Sequence, residues 1–210
     1  MDQIITPDMI EEILATRAPG PEGVQDKYAV LALLTEQQGE LRVLFEKRAL
    51  HLNRQPGEIC FPGGRVEKNE TPLAAAIRET QEELGIEPAR IRILGPTDFV
   101  VTFYNTVITP FVGYVPNLDV QSVNFSANEV QSVFSVPLTF FKETVPKKNR
   151  LKFKMEIPPD FPFELIPNGE NYKWGKPREY NELFYEYNGE IIWGLTARIT
   201  AHICDLICRS

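Results

Sequence analysis

Residues 70–85 read ETPLAAAIRETQEELG, and the punctuation of a helix is complete within them. Thr71 suits the N-cap, Pro72 the first helical position, and Gly85 the left-handed residue that closes a helix. Leu73, Ala76, Ile77, Thr80 and Leu84 recur at helical spacing and form the expected buried stripe. Glu79, Glu82 and Glu83 remain, and at ~100° per residue they span an arc of roughly 100°, expected opposite that stripe. Arg78 precedes Glu82 by one turn and is placed to reach it.

A run of acids is ordinarily a solvated face. Here it sits on the last helical turn, where the helix dipole is negative and each carboxylate costs about 0.3–1 kcal/mol. Like charges one turn apart add a few tenths more. A divalent cation reverses the sign of all these terms, because hard oxygen donors on one arc suit Mg²⁺ or Mn²⁺. The preceding FPGGRVEKNE adds a sharp turn at Gly63-Gly64, which lets backbone carbonyls approach an ion, and places Glu70 before the helix start.

Outward from this helix the chain alternates strands and helices. TPDMIEEILATR opens with Thr6 as N-cap and Pro7 at the first position, predicting a helix over 7–17. KYAVLALL and LRVLFEKR flank TEQQGE and read as an antiparallel hairpin. ICF is a short strand, and IRIL, DFVV and TVITPFVGYV follow as strands, with Pro110 suggesting an edge or a bulge. NEVQSVFSVP leads into a short helix from Pro137, and YNELFYEYNGEIIWG is a hairpin signalled by Asn188-Gly189. A helix over about 193–208 ends the chain. Residues 145–176 show no legible pattern beyond a possible strand in RLKFKMEI, and the aromatic run FPFELIP there is either a contact surface, as in a homodimer, or an unusual loop. With no repeat or linker between halves, residues 1–210 read as one α/β domain.

Composition narrows the function classes. Hydrophobic residues make up 43% and charged residues 24% of the 210 residues, ordinary for a globular protein, and the 17 prolines imply many loops. A net charge of −7 opposes nucleic-acid binding, which needs a basic footprint. No apolar run approaches the ~20 residues of a membrane helix, and the acidic start is unlike a signal peptide. His202, Cys204 and Cys208 share the last helix but read as core and flank, since structural zinc takes four ligands. These features predict a reduced, cytoplasmic protein without nucleic-acid or membrane partners.

Gly64, Glu70, Arg78-Glu79, Glu82-Glu83 and Gly85-Ile86 together resemble the box of the Nudix hydrolases; Thr80 departs from the bulky aliphatic usual at its place. The resemblance implies an α/β/α sandwich around a mixed sheet. It also implies Mg²⁺- or Mn²⁺-dependent hydrolysis of a nucleoside diphosphate linked to another moiety. By similarity, Glu79, Glu82, Glu83 and the Gly63 carbonyl are metal ligands, and Arg78 orients the glutamates. The catalytic base varies in the family; Glu79 is the box candidate and Glu129, in SANEV, the loop candidate.

RALHLNRQPGEICFPGG (48–64) and IIWGLTARI (191–199) are similar to stretches of the coenzyme A pyrophosphatase subgroup. That resemblance implies coenzyme A as the small-molecule substrate, split into 3′,5′-ADP and 4′-phosphopantetheine. Lys47, Arg48 and Arg54 are candidate phosphate ligands, Arg suiting bidentate contact. Tyr104 and Phe103 are candidates for the cleft wall, while Phe61 and Trp193 read as core. LFEKR supplies only the ends of the subgroup's Leu-Leu-Thr-x-Arg, and Asn53 stands where it has Arg. ADP-ribose or another dinucleotide-type diphosphate is therefore the alternative substrate. A catalytically silent nucleotide-binding module is the third reading, disfavoured because all three helix glutamates are present.

Overall fold

The computed structural model describes residues 5–24, 26–175 and 179–208. Helix α1 (Pro7–Ala15) has Thr6 as its N-cap and ends two residues before the predicted Arg17. It buries no side chain. Strands β1 (Asp26–Gln37) and β2 (Glu40–Arg48) form the expected hairpin, turning on Gln38 and Gly39, both left-handed. Two adjacent positive-φ residues make the turn whose twist matches that of the strands it joins.

Short strands β3 (Ile59–Cys60) and β4 (Gly63–Arg65) pair antiparallel with β2 and β1 respectively. Helix α2 (Pro72–Leu84) is capped as its sequence predicts: Thr71 accepts from the Ala74 N–H, and Gly85 adopts φ 63° with its N–H on the Gln81 carbonyl. Strands β5 (Arg92–Pro96), β6 (Val100–Val101) and β7 (Thr106–Tyr114) follow. β7 lies parallel to β1 across nine residue pairs from Asp26–Thr106 to Leu34–Tyr114, so the eight-stranded sheet is mixed. β8 (Val130–Pro137) completes it against β2, and α3 (Leu138–Glu143) follows directly.

Pro110 lies neither at an edge nor in a bulge. β7 is an interior strand, and Pro110 sits where β5 has ended and β6 has not begun, its carbonyl accepting from the Thr97 N–H at 3.0 Å. A gap in the ladder is the interior place where a residue without an N–H is tolerated.

The remaining elements are β9 (Lys147–Lys152), β10 (Glu179–Tyr187), β11 (Glu190–Trp193) and α4 (Gly194–Cys208). The three strands form a second antiparallel sheet, with Asn188 and Gly189 left-handed in its hairpin. The illegible segment is held by aromatic contacts: Phe161 packs edge-on against Phe163 and Trp174, and Tyr172 against Trp174.

Strand alternation sends β2 into two separate cores. Leu44 packs with Ala75, Ala76 and Leu84 of α2 and with Leu31 and Leu33 of β1. Phe45 faces the other way, packing with Tyr185, Ile192 and Ala197 of the second sheet and α4. Helices on both sides of a mixed sheet give the α/β/α layering the sequence implied. Thr80 faces the α2 core, where a bare hydroxyl would be costly, and donates to the Ala76 carbonyl at 2.7 Å. That internal bond explains why a polar residue stands in the apolar stripe.

Candidate active site

The site is built where β4 meets α2. Gly63 pairs with Val30 of β1, at φ 155°. A side chain there would collide with the Ala29 carbonyl oxygen and lie 2.6 Å from the Val30 Cα. At Gly64 an added Cβ would strike the Glu79 carboxyl group. Gly63 is therefore required for β4 to approach β1, while Gly64 leaves room for the Glu79 carboxyl where it stands.

Arg78 organises the cluster. Its Nε and Nη2 reach the two Glu70 oxygens at 3.0 and 3.1 Å, a bidentate clasp. Nη1 donates to Glu79 at 2.8 Å and to Glu82 at 3.1 Å, and Nη2 also donates to the Arg65 carbonyl at 3.2 Å. Glu70 further accepts from the Glu67 N–H, tying the pre-helix loop to the same guanidinium. The Arg78 hydrogen bonds hold the Glu70 carboxyl below its ordinary range, and those carboxylates in turn raise the proton affinity of Arg78.

The three helix glutamates do not share one solvated arc. Glu82 is 56% exposed in its side chain and Glu79 17%, but Glu83 as a residue is only 4% exposed. Glu83 turns under the helix, and its Oε2 accepts from the Gly63 N–H at 2.9 Å. Burial, followed by the nearby charge of Glu46, pushes its carboxyl up to about 9, against the Gly63 bond, which lowers it. Burial raises Glu79 as well, with Arg78 opposing.

Glu129 is exposed, yet its loop is fastened to the site. The Ser126 N–H donates to the Glu83 carbonyl at 2.8 Å, closing the last turn of α2, and the Asn124 carbonyl lies so near Gly85 that a Cβ there would sit 2.6 Å away. On its other side the Glu129 carbonyl accepts from the Ala49 N–H, and His51 Nε2 meets the Asn128 carbonyl at 3.0 Å. The charge of Glu129 is felt at Glu46, Glu79 and Glu83 alike.

The candidate substrate ligands divide. Arg48 lies beside the acidic cluster, its charge lowering both Glu46 and Cys60, and its Nε reaches the Arg54 carbonyl at 3.4 Å. Arg54 is exposed on that same loop. Lys47 alternates to the opposite face with Phe45 and pairs with Glu190 at 2.9 Å, so it does not join the cluster. Tyr104 is 88% exposed at the tip of the β6–β7 hairpin. That tip lies beyond the Asp26–Thr106 pair, roughly 13 Å along β1 from Gly63 at ~3.3 Å per residue. Phe103 stacks on Phe153, the residue after β9, at 3.9 Å rather than lining a cleft there. Phe61 is core, stacked on Phe45, but Trp193 is 39% exposed and lies flat on Phe184.

At the C-terminal helix, Cys204 is buried in the core. His202 turns to Asp98, its Nε2 2.8 Å from a carboxylate oxygen but off the axis of a hydrogen bond. The Cys208 side chain lies outside the described residues.

The sequence reading passed over Glu46 and Cys60. Glu46 is 1% exposed and its Oε1 accepts from the Cys60 thiol at 3.3 Å. Burial, then the neighbouring acids, pushes Glu46 up to about 7 and the Cys60 thiol well above its usual range. The available signal was alternation: Glu46 follows Leu44 onto the buried face, where an unpaired acid is exceptional.

Glu79, Glu82 and Glu83 supply hard oxygen donors that fit a divalent cation rather than a soft metal. Burial suppresses the charge of the Glu46 and Glu83 carboxyls, and a cation bound beside them would favour their ionised form. Among the described residues no three His, Cys, Asp or Glu side chains converge as a ligand group, and Glu79 and Glu82 both accept from Arg78 Nη1.

The family model for the NUDIX domain matches residues 26–152, which hold the β1–β2 hairpin, the glycine turn, α2 and the Glu129 loop. The chain belongs to the Nudix family. Its members generally use divalent cations. Peroxisomal coenzyme A diphosphatase NUDT7 of Mus musculus is 37% identical over 118 residues, covering 55% of this chain and 49% of that protein. Nudix hydrolase 3 of Caenorhabditis elegans is 36% identical over 130 residues, covering 60% of this chain and 52% of that protein. The chain thus spans about half the length of these curated relatives. A solved Ap4A hydrolase complex from C. elegans is 23% identical, with a TM-score of 0.46 over 53% of this chain and 80% of that one. No helix among the described residues is long and apolar enough to cross a membrane.

Proposed function

We propose that this Nudix protein is a divalent-cation-dependent pyrophosphohydrolase that splits coenzyme A into 3′,5′-ADP and 4′-phosphopantetheine. The observation that carries the hydrolase reading is the assembly at Gly63-Gly64: two glycines cleared of side chains, three helix glutamates beside them, and Arg78 holding Glu79 and Glu82. Glu79, Glu82, Glu83 and the Gly63 carbonyl are the ligands in this reading, with Mg²⁺ or Mn²⁺ as the ion. Such an ion neutralises charge on a diphosphate and acidifies a water that attacks phosphorus.

The chain's own residues do the rest. Gly63 donates to Glu83 and keeps that carboxylate oriented. The Arg78–Glu70 clasp fixes the helix face against the turn. Arg48 and Arg54 are the cations placed to meet phosphate oxygens. Glu79, beside the glycine turn and held by Arg78, is the first candidate to take the proton from the attacking water; Glu129 is the second candidate, on a loop clamped to the helix end. A pH–rate profile separates them: Gln at the true base removes the lower-pH limb, and Gln at the other leaves it.

Coenzyme A is favoured by the 37% identity to a coenzyme A diphosphatase and by residues 48–64. ADP-ribose or another dinucleotide-type diphosphate is the second reading, because Lys47 is committed to Glu190 and Asn53 replaces an arginine, thinning the charge available for a 3′-phosphate. Incubation with Mg²⁺ or Mn²⁺ and coenzyme A, ADP-ribose, NADH or diadenosine tetraphosphate, followed by separation of products, decides. Release of 3′,5′-ADP from coenzyme A supports the first reading. Turnover of ADP-ribose with coenzyme A untouched supports the second, and no turnover of any diphosphate leaves a silent module.

A further inference from the structure

On its inner face β2 runs from Leu44 to a glutamate, at the point where this face meets the catalytic turn. Glu46 is 1% exposed, one oxygen engaged by the Cys60 thiol and the other, Oε2, without any partner. A buried carboxyl with an open acceptor is unfavourable by several kcal/mol. An apolar residue would remove that cost. Glu46 therefore needs a reason other than packing.

Its surroundings supply one. Cys60, opposite Glu46 in the β2–β3 ladder, stands three residues before Gly63, whose N–H anchors Glu83. Glu46 and Glu83 are thus two buried carboxyls brought to the same turn from different elements. Glu83 feels the charge of Glu46, both feel that of Glu79 and Glu129, and Arg48 is a cation that reaches Glu46. A fully buried carboxyl oxygen left without a partner beside these acids is suited to a hydrated cation, whose waters are strong donors.

We propose that Glu46 is a positioning residue of the cation site, its open oxygen accepting a hydrogen bond from a water carried by the ion that Glu79, Glu82 and Glu83 hold. This rests on the hydrolase reading but concerns a residue outside the box. The Cys60 thiol keeps the carboxyl from rotating away.

The test is Mn²⁺ affinity, read from the electron paramagnetic resonance of the free ion, for wild type, Glu46→Gln, Glu46→Thr and Glu83→Gln. Glu46→Gln keeps volume and an acceptor for Cys60, and is expected to weaken Mn²⁺ binding about tenfold, the usual loss for an outer partner. Its chelator-treated form is expected to melt no lower than wild type, while the rise in Tm on adding Mn²⁺ shrinks. Glu46→Thr reports the same if the first variant folds poorly. Affinity within twofold of wild type in a folded Glu46 variant, with Glu83→Gln losing it, overturns the proposal and leaves the hydrolase reading intact. Absence of Mn²⁺ binding in wild type overturns both.

Discussion

Replacing Glu83 by Gln keeps the shape of the side chain and an oxygen for the Gly63 N–H, and removes one buried charge. In the folded chain without metal the Glu83 carboxyl keeps its proton up to about 9, whereas 4.5 is its ordinary value. Between those values the unfolded chain has lost that proton and the folded chain has not, so the folded state binds more protons and stability falls as pH rises. Below pH 4.5 both states are protonated and the effect vanishes. Each pH unit in the window is worth at most about 1.4 kcal/mol. From pH 5 to pH 8 wild type is thus expected to lose about 2–4 kcal/mol relative to Glu83→Gln. For a chain of this length that is roughly 5–10 °C in Tm. The assay is paired thermal melts of both proteins in chelator at pH 5 and pH 8. The variant should match wild type at pH 5 and melt higher at pH 8, while its hydrolytic activity is abolished. A variant that melts below wild type at pH 8 would refute the reasoning, because the carboxyl would then be stabilising the empty fold.

Gly63→Ala drives a Cβ into the Ala29 carbonyl and the Val30 backbone, and is expected to cost about 2–3 kcal/mol in urea unfolding. Glu70→Gln unclasps Arg78 and frees it to hold Glu79 and Glu82 more tightly, so kcat is expected to fall ~10- to 100-fold with little change in fold by circular dichroism. The Glu70 carboxyl is held low, so whatever stability it adds is present above pH 4.5 and fades as pH drops below that, which a pH series on the same variant checks. Lys47→Ala removes a cation that pairs with Glu190 away from the cluster, and kcat/KM is expected within twofold of wild type.

What could be read from the chain was local. The caps of α2 reside in Thr71, Pro72 and Gly85 themselves, and the two tight hairpins in Gln38-Gly39 and Asn188-Gly189, so no distant partner was needed to specify them. The box residues were legible as a set because a spaced pattern survives without coordinates. What escaped depended on partners far along the chain. Lys47 meets Glu190 143 positions away, and Phe103 meets Phe153. The inward turn of Glu83 follows from Gly63 offering an N–H that helical angles alone do not reveal. Pro110 suggests an edge or a bulge because a break in the ladder is invisible in one strand's sequence. Residues 161–174 owe their order to rings packing on one another, which leaves no periodic trace.

The stretch from Ser126 to Glu129 is pinned at both margins, by the Glu83 carbonyl on one side and by Ala49 and His51 on the other. A segment clamped twice tolerates exchange of side chains far better than a change in length. Insertion scanning across 119–129 should therefore find a short forbidden window within an otherwise permissive connection, and any redesign aimed at new leaving groups would have to keep that spacing while varying what projects from it.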